Sequence, residues 1–188
     1  MTSLSRSLPA ALALACAAAV APAAHAQLAI EARAGVARPS GEMDVDAGTD
    51  GGFASEVSVT VGALPFVGLY GSWQKVEFER EGSSGSVVRE EGWSGGVRVS
   101  VPTPFIPVDP WVRAGVISHE LKAAGLTGGG DRGVGVELGG GLRFRLGRGV
   151  ALTPGVNWTR YAFDDDAVDD GTVNVEYLRV DVGVRIGF

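Results

Sequence analysis

Beyond position 27 the chain alternates apolar and polar residues with a period of two, which is the pattern of half-buried β-strands and not of helices. The last segment is the cleanest. Val180, Val182, Val184, Ile186 and Phe188 fall on one face, and Arg179, Asp181, Gly183, Arg185 and Gly187 on the other. The same rhythm sets Leu28, Ile30, Ala32, Ala34 and Val36 against Glu31, Arg33 and Gly35, and Val57, Val59 and Val61 against Glu56, Ser58 and Thr60. Trp93, Val97, Val99 and Val101 oppose Gly96 and Arg98, while Val112, Ala114 and Val116 oppose Arg113 and Gly115. Val134, Val136, Leu138, Leu142, Phe144 and Leu146 oppose Glu137, Gly139, Gly141, Arg143 and Arg145. Val150, Leu152, Val156 and Trp158 oppose Thr153, Gly155, Asn157 and Thr159. Residues 66–78 are irregular, because Val67, Leu69 and Trp73 share one parity and Val76 and Phe78 the other; a bulge near Lys75 is the expected cause. The outcome is eight strands of roughly 10 to 14 residues, with no apolar run of the roughly 18 residues that a membrane helix needs.

The connections alternate too. Those at 62–65, 102–110 and 147–149 are short or stiffened by proline, whereas those at 39–52, 79–86, 122–133 and 164–171 are longer and polar. An antiparallel up-and-down meander with short turns at one end and long loops at the other predicts an all-β, eight-stranded transmembrane barrel. A soluble periplasmic lipid-binding barrel shares the strand count but turns its apolar face inward. The polar face decides against it, since a face of glycine and arginine makes a poor soluble exterior and suits a lumen in which acids and arginines pair. Aromatic residues at strand ends agree: Phe53, Trp73, Trp93, Trp158 and Tyr177 toward the long loops, and Phe66, Phe105, Trp111 and Phe188 toward the short turns, read as interfacial girdles.

The first 26 residues carry a positive charge at Arg6, an apolar stretch over 8–20, and Ala24-His25-Ala26 ahead of Gln27. That is the pattern of a secretory signal peptide, so residues 1–26 are expected to be removed and 27–188 to form the barrel. Ala13-Leu14-Ala15-Cys16 fits a lipoprotein signal poorly, because its large residue stands one place too late. Cleavage removes Cys16 and His25, leaves His119 as the one histidine, and excludes disulfides and Cys/His zinc sites. The exported chain then has 22 acids and 15 bases, a balance that argues against nucleic acid. Its charge is segregated: 17 acids and 7 bases fall at the long-loop end, against 5 acids and 8 bases elsewhere.

Asp181-x-Gly183-x-x-Ile186-x-Phe188 matches the polar-x-Gly-x-x-hydrophobic-x-aromatic signal that ends bacterial outer-membrane barrels. With the leader, the eight strands and the loop alternation, the mature chain resembles the small OmpA/OmpX-like barrel family, also labelled porin-like or opacity-type. The resemblance implies a cell outer-membrane location, insertion by the barrel-assembly machinery through Ile186 and Phe188, long loops outside the cell and both chain ends in the periplasm. It departs from the OmpA pattern in having no peptidoglycan-binding domain after the barrel, so wall anchoring is not expected.

Ser118-His119-Glu120 looks like part of a hydrolytic relay, but alternation separates His119 from its neighbours, and no enzyme activity or cofactor is expected. The runs at 164–171 and 42–46 are dense in hard oxygen ligands without EF-hand spacing. They are expected to be solvated, or to meet lipopolysaccharide phosphates through divalent cations. The lumen candidates are Glu31, Arg33, Glu56, Arg98, Arg113, Glu137, Arg143, Arg145, Arg179, Asp181 and Arg185. Eight strands leave a lumen that side chains can fill, so the inward glycines either relieve crowding or open a narrow path. The sequence therefore predicts a monomeric outer-membrane scaffold displaying acidic loops, with a narrow passive pore for small solutes as the alternative.

Overall fold

The eight alternating segments become eight antiparallel strands, each hydrogen-bonded to its neighbours in sequence, with β1 and β8 closing the sheet into a barrel. The computed structural model describes residues 28–40, 49–80, 87–123, 132–164 and 172–188. Residues 1–27, where the signal peptide is expected, and the acidic stretches at 42–46 and 165–171 lie outside these. The strands are β1 Leu28–Ser40, β2 Thr49–Leu64, β3 Val67–Arg80, β4 Val87–Ser100, β5 Val108–Ala123, β6 Arg132–Arg145, β7 Val150–Asp164 and β8 Thr172–Gly187. At 13 to 16 residues they run longer than the alternation alone suggests, because they continue into stretches the sequence reading gave to loops. The closing seam is continuous from Ala29 opposite Gly187 to Ser40 opposite Glu176.

The faces have the polarity of a membrane barrel. Large hydrophobic side chains point outward on every strand, including Val59, Leu69, Val97, Val112, Val136, Val156 and Val182. Charged and polar ones, including Glu31, Arg113 and Arg179, are buried inside. A soluble barrel with an apolar interior is thereby excluded, since its faces would be reversed.

Three sequence expectations need correction. No bulge interrupts β3 near Lys75; its register against both neighbours is unbroken there, and the shifts lie in β2, between Thr49 and Gly52 and between Gly62 and Leu64. Val76 and Phe78 face inward because the long-loop end of the lumen is itself apolar, formed by Ala37, Ala54, Ile117, Tyr161, Val175 and Tyr177 around them. Tyr177 and Trp111, assigned to the girdles, also point inward and are fully buried, while Phe53, Trp93, Phe66, Phe105 and Phe188 are exposed on the outside. At the tight turn between β2 and β3, Phe66 follows Pro65 and adopts φ 73°, a conformation that ordinarily favours glycine.

Candidate functional site

Among the described residues, charged side chains converge chiefly in the lumen, where they are stacked in three layers. Nearest the short turns, Asp109 accepts from Arg143 through Nη2 at 2.5 Å and Nε at 2.9 Å, and from the amide of Thr103 at 2.9 Å. Glu31 beside it accepts from Arg98 Nη1 at 2.7 Å, Arg185 Nη1 at 3.3 Å, the Thr153 hydroxyl at 2.8 Å and Arg33 Nη1. The indole of Trp111 lies across this layer, with the guanidinium carbons of Arg98 and Arg33 4.2 and 4.9 Å from its ring centre.

The middle layer is a chain of ion pairs running around the barrel. Asp181 accepts from Arg33 Nε at 3.0 Å and from Asn157 at 3.0 Å, and lies 2.7 Å from Arg179 Nε. Glu56 accepts from both terminal nitrogens of Arg113, at 2.5 and 2.9 Å, and from Arg179 Nη2. Glu137 accepts from Arg113 Nη2 at 3.3 Å and from the Tyr70 hydroxyl at 2.5 Å. Three guanidiniums face three carboxylates, so the layer is electrically balanced.

Toward the long loops the network runs on through Gln74 and His119 to Glu90. Arg179 Nη1 donates to Gln74 Oε1 at 2.7 Å, and Gln74 Nε2 lies 2.6 Å from His119 Nε2. His119 Nδ1 is 2.5 Å from Glu90 Oε1, which also accepts from the Tyr177 hydroxyl at 2.9 Å. With its proton on Nδ1, the imidazole donates to Glu90 and accepts from Gln74, so both ring nitrogens are occupied. The apolar side chains around Phe78 and Tyr161 cap this end.

Glycines make room for these long side chains. A Cβ on Gly139 would sit 2.1 Å from Asn157 Oδ1, and one on Gly155 would sit 2.6 Å from the Trp111 indole and 2.8 Å from Arg33 Nη2. The space they leave is filled rather than open. Gly155→Ala is accordingly expected to destabilise the barrel by about 1–3 kcal/mol, the usual cost of overpacking, read from the urea midpoint of the refolded protein.

No protein-family model matches the sequence, and no curated protein does either. Solved structures do match. Neisserial surface protein A superposes with a TM-score of 0.66 at 15% identity, over 86% of this chain and 97% of that one. The N-terminal barrel domain of Pseudomonas aeruginosa OprF gives 0.55 at 15% identity, over 86% and 97%. Ail, the attachment invasion locus protein of Yersinia pestis, gives 0.52 at 13% identity, over 86% and 99%. The chain has the fold of the small outer-membrane β-barrels. That fold and the lipid-ready outer face together make it an outer-membrane protein.

Within this small outer-membrane barrel, nine of the eleven lumen candidates join one network of ion pairs, and Arg143 points inward to a separate pair with Asp109. Arg145 stands at the exposed rim, donating to the carbonyls of Thr103 and Ile106 at 3.0 and 2.7 Å and lying 3.5 Å from the same Asp109. Of the C-terminal residues, Asp181 and Gly183 face the lumen, while Ile186 and Phe188 face outward. The sequence reading missed Glu90, Asp109 and Gln74, and the carboxylate beside His119 comes from β4, not from its own segment. For Glu90 no signal was available, because Arg89-Glu90-Glu91 is charged on both faces. Asp109 had one: it shares parity with Arg113 on β5.

Proposed function

We propose that the barrel is a closed, non-conducting membrane scaffold whose biological contacts are made at its long-loop end. The observation that carries this reading is the filled lumen: an ionic layer under Trp111, a balanced chain of arginine–carboxylate pairs, and an apolar cap around Phe78 and Tyr161. Such a stack replaces the core that a barrel with a lipid-facing exterior cannot place on its outside, and it leaves the protein's variable chemistry to the loops. The excess of acids at that end suits a surface that meets cations, and through them the phosphates of lipopolysaccharide. In this reading the protein is not an enzyme. His119 is fully buried and its Nε2 is taken by Gln74, so it has no position from which to activate a nucleophile.

The test is single-channel recording of the refolded protein in planar bilayers, with heat-modifiable gel mobility as proof of folding. A folded, inserted and electrically silent barrel is expected. Discrete conductance steps from the wild-type protein would replace the scaffold with the pore.

A further inference from the structure

The charged side chains nearest the short-turn mouth do not balance. Arg98, Arg143, Arg145 and Arg185 pair there with only two carboxylate side chains, Glu31 and Asp109. The middle layer, three against three, has nothing to spare for them. Arg98 and Arg185 converge on the same oxygen, Oε2 of Glu31. Arg98 is buried, yet its Nε and Nη2 have no hydrogen-bond partner. Unmatched guanidiniums beside a low-dielectric wall are costly unless an anion joins them.

The same mouth holds a cavity of about 330 Å³, within the roughly 300–1,000 Å³ usual for small-ligand sites. Arg143, Arg145 and Arg185 line it, together with Gly147 of the β6–β7 turn, and Leu28 and Phe188 form part of its rim. Leu28 and Phe188 belong to the outward face, so the cavity opens beside the bilayer surface. We propose that this mouth is an oxyanion site that takes a phosphate group, with Arg143, Arg145 and Arg185 as its donors. Planar guanidinium forks match phosphate oxygens bidentately, and the excess of guanidinium over carboxylate side chains at the mouth favours an anion. Free phosphate and the phosphodiester of a lipid headgroup share this chemistry, and the cavity's position gives access to both.

Gly147 gives a clean test, because a Cβ there meets nothing within 4 Å, so side chains at this turn can be changed without crowding the barrel. Inorganic phosphate is titrated into the refolded protein in maltoside micelles at low ionic strength and followed by ³¹P line broadening. Saturable binding is expected. Gly147→Glu, which adds a competing carboxylate to the rim, should weaken it at least ten-fold, whereas Gly147→Lys should not weaken it. Heat-modifiable mobility of both variants establishes that they are folded. Repeating the titration in phosphatidylglycerol nanodiscs separates the sources. Loss of the phosphate titration there, with one phospholipid retained by the wild-type protein and not by Gly147→Glu in native mass spectrometry, identifies a lipid headgroup. Persistence of the titration identifies free phosphate. Absence of saturable binding in micelles and of a retained lipid in nanodiscs overturns the site, as does equal phosphate affinity in the glutamate and lysine variants.

Discussion

Glu56→Gln is expected to destabilise the barrel by about 3–5 kcal/mol, the usual cost of breaking a buried ion pair by removing one partner. Glu56 accepts from Arg113 through two nitrogens and from Arg179 through a third, and all three side chains are almost wholly buried. Glutamine is nearly isosteric, so the loss is one of charge and not of volume. Two guanidiniums would then share Asp181 and Glu137, each already engaged. Equilibrium urea unfolding of the refolded protein in lipid vesicles measures the effect. Combining Glu56→Gln with Arg179→Met removes one stranded charge, and the double variant is expected to recover a large part of the loss. The cycle therefore separates the ion pair from simple packing. A stability for Glu56→Gln within about 0.5 kcal/mol of wild type, the range of ordinary surface substitutions, would mean that water reaches these ion pairs and that the lumen is not sealed.

The predicted dependence on Glu56 also indicates which parts of this barrel could be read from sequence. Alternation identified strand number and face, because one face of every strand must meet lipid and tolerates few polar residues. Glu31, Arg33, Glu56, Arg113, Arg179 and Asp181 were legible as lumen residues for the same reason: a charge beside outward apolar residues has only one place to go. The interior face carries no such constraint. It accepts Phe78, Ile117, Trp111 and Tyr177 as readily as arginine, provided their polar atoms or ring faces find partners, so apolar residues there imitate the outer face. That ambiguity produced the bulge expected at Lys75 and the two misplaced girdle aromatics. Pairings within the network were not legible at all. Arg33 and Asp181 are far apart in sequence and adjacent only because β1 closes against β8. The Trp111 stack depends on Gly141 and Gly155 lying across from it on two other strands. The short-turn cavity likewise gathers the ends of β1, β6, β7 and β8, which no local pattern could join.

Val182→Arg tests the outer face with the same residue type that the lumen accommodates. Arg179 and Arg185 lie three positions to either side on β8 and point inward, to Glu56 and Asp181 and to Glu31 respectively. Position 182 has the opposite parity, and Val182 is about half exposed on the barrel's exterior, 49%, between Ala34 of β1 and Pro154 of β7. Along β8 it lies between Leu178, paired with Trp158 near the long-loop girdle, and Phe188 at the short-turn end, which puts it close to the middle of the apolar belt. An arginine there is surrounded on its own face by Val180, Val184, Ala34 and Pro154 and meets hydrocarbon, at an expected cost of about 2–4 kcal/mol in vesicle unfolding. Leu146→Arg, on the same exterior but at the β6–β7 turn, should cost only about 0–1 kcal/mol, because the interfacial region hydrates the charge. The difference between the two variants, more than either value, reports the bilayer: in detergent-free water neither position would distinguish itself by depth. Equal costs at 182 and 146 would place the belt outside the membrane and remove the basis for reading this face as lipid-facing.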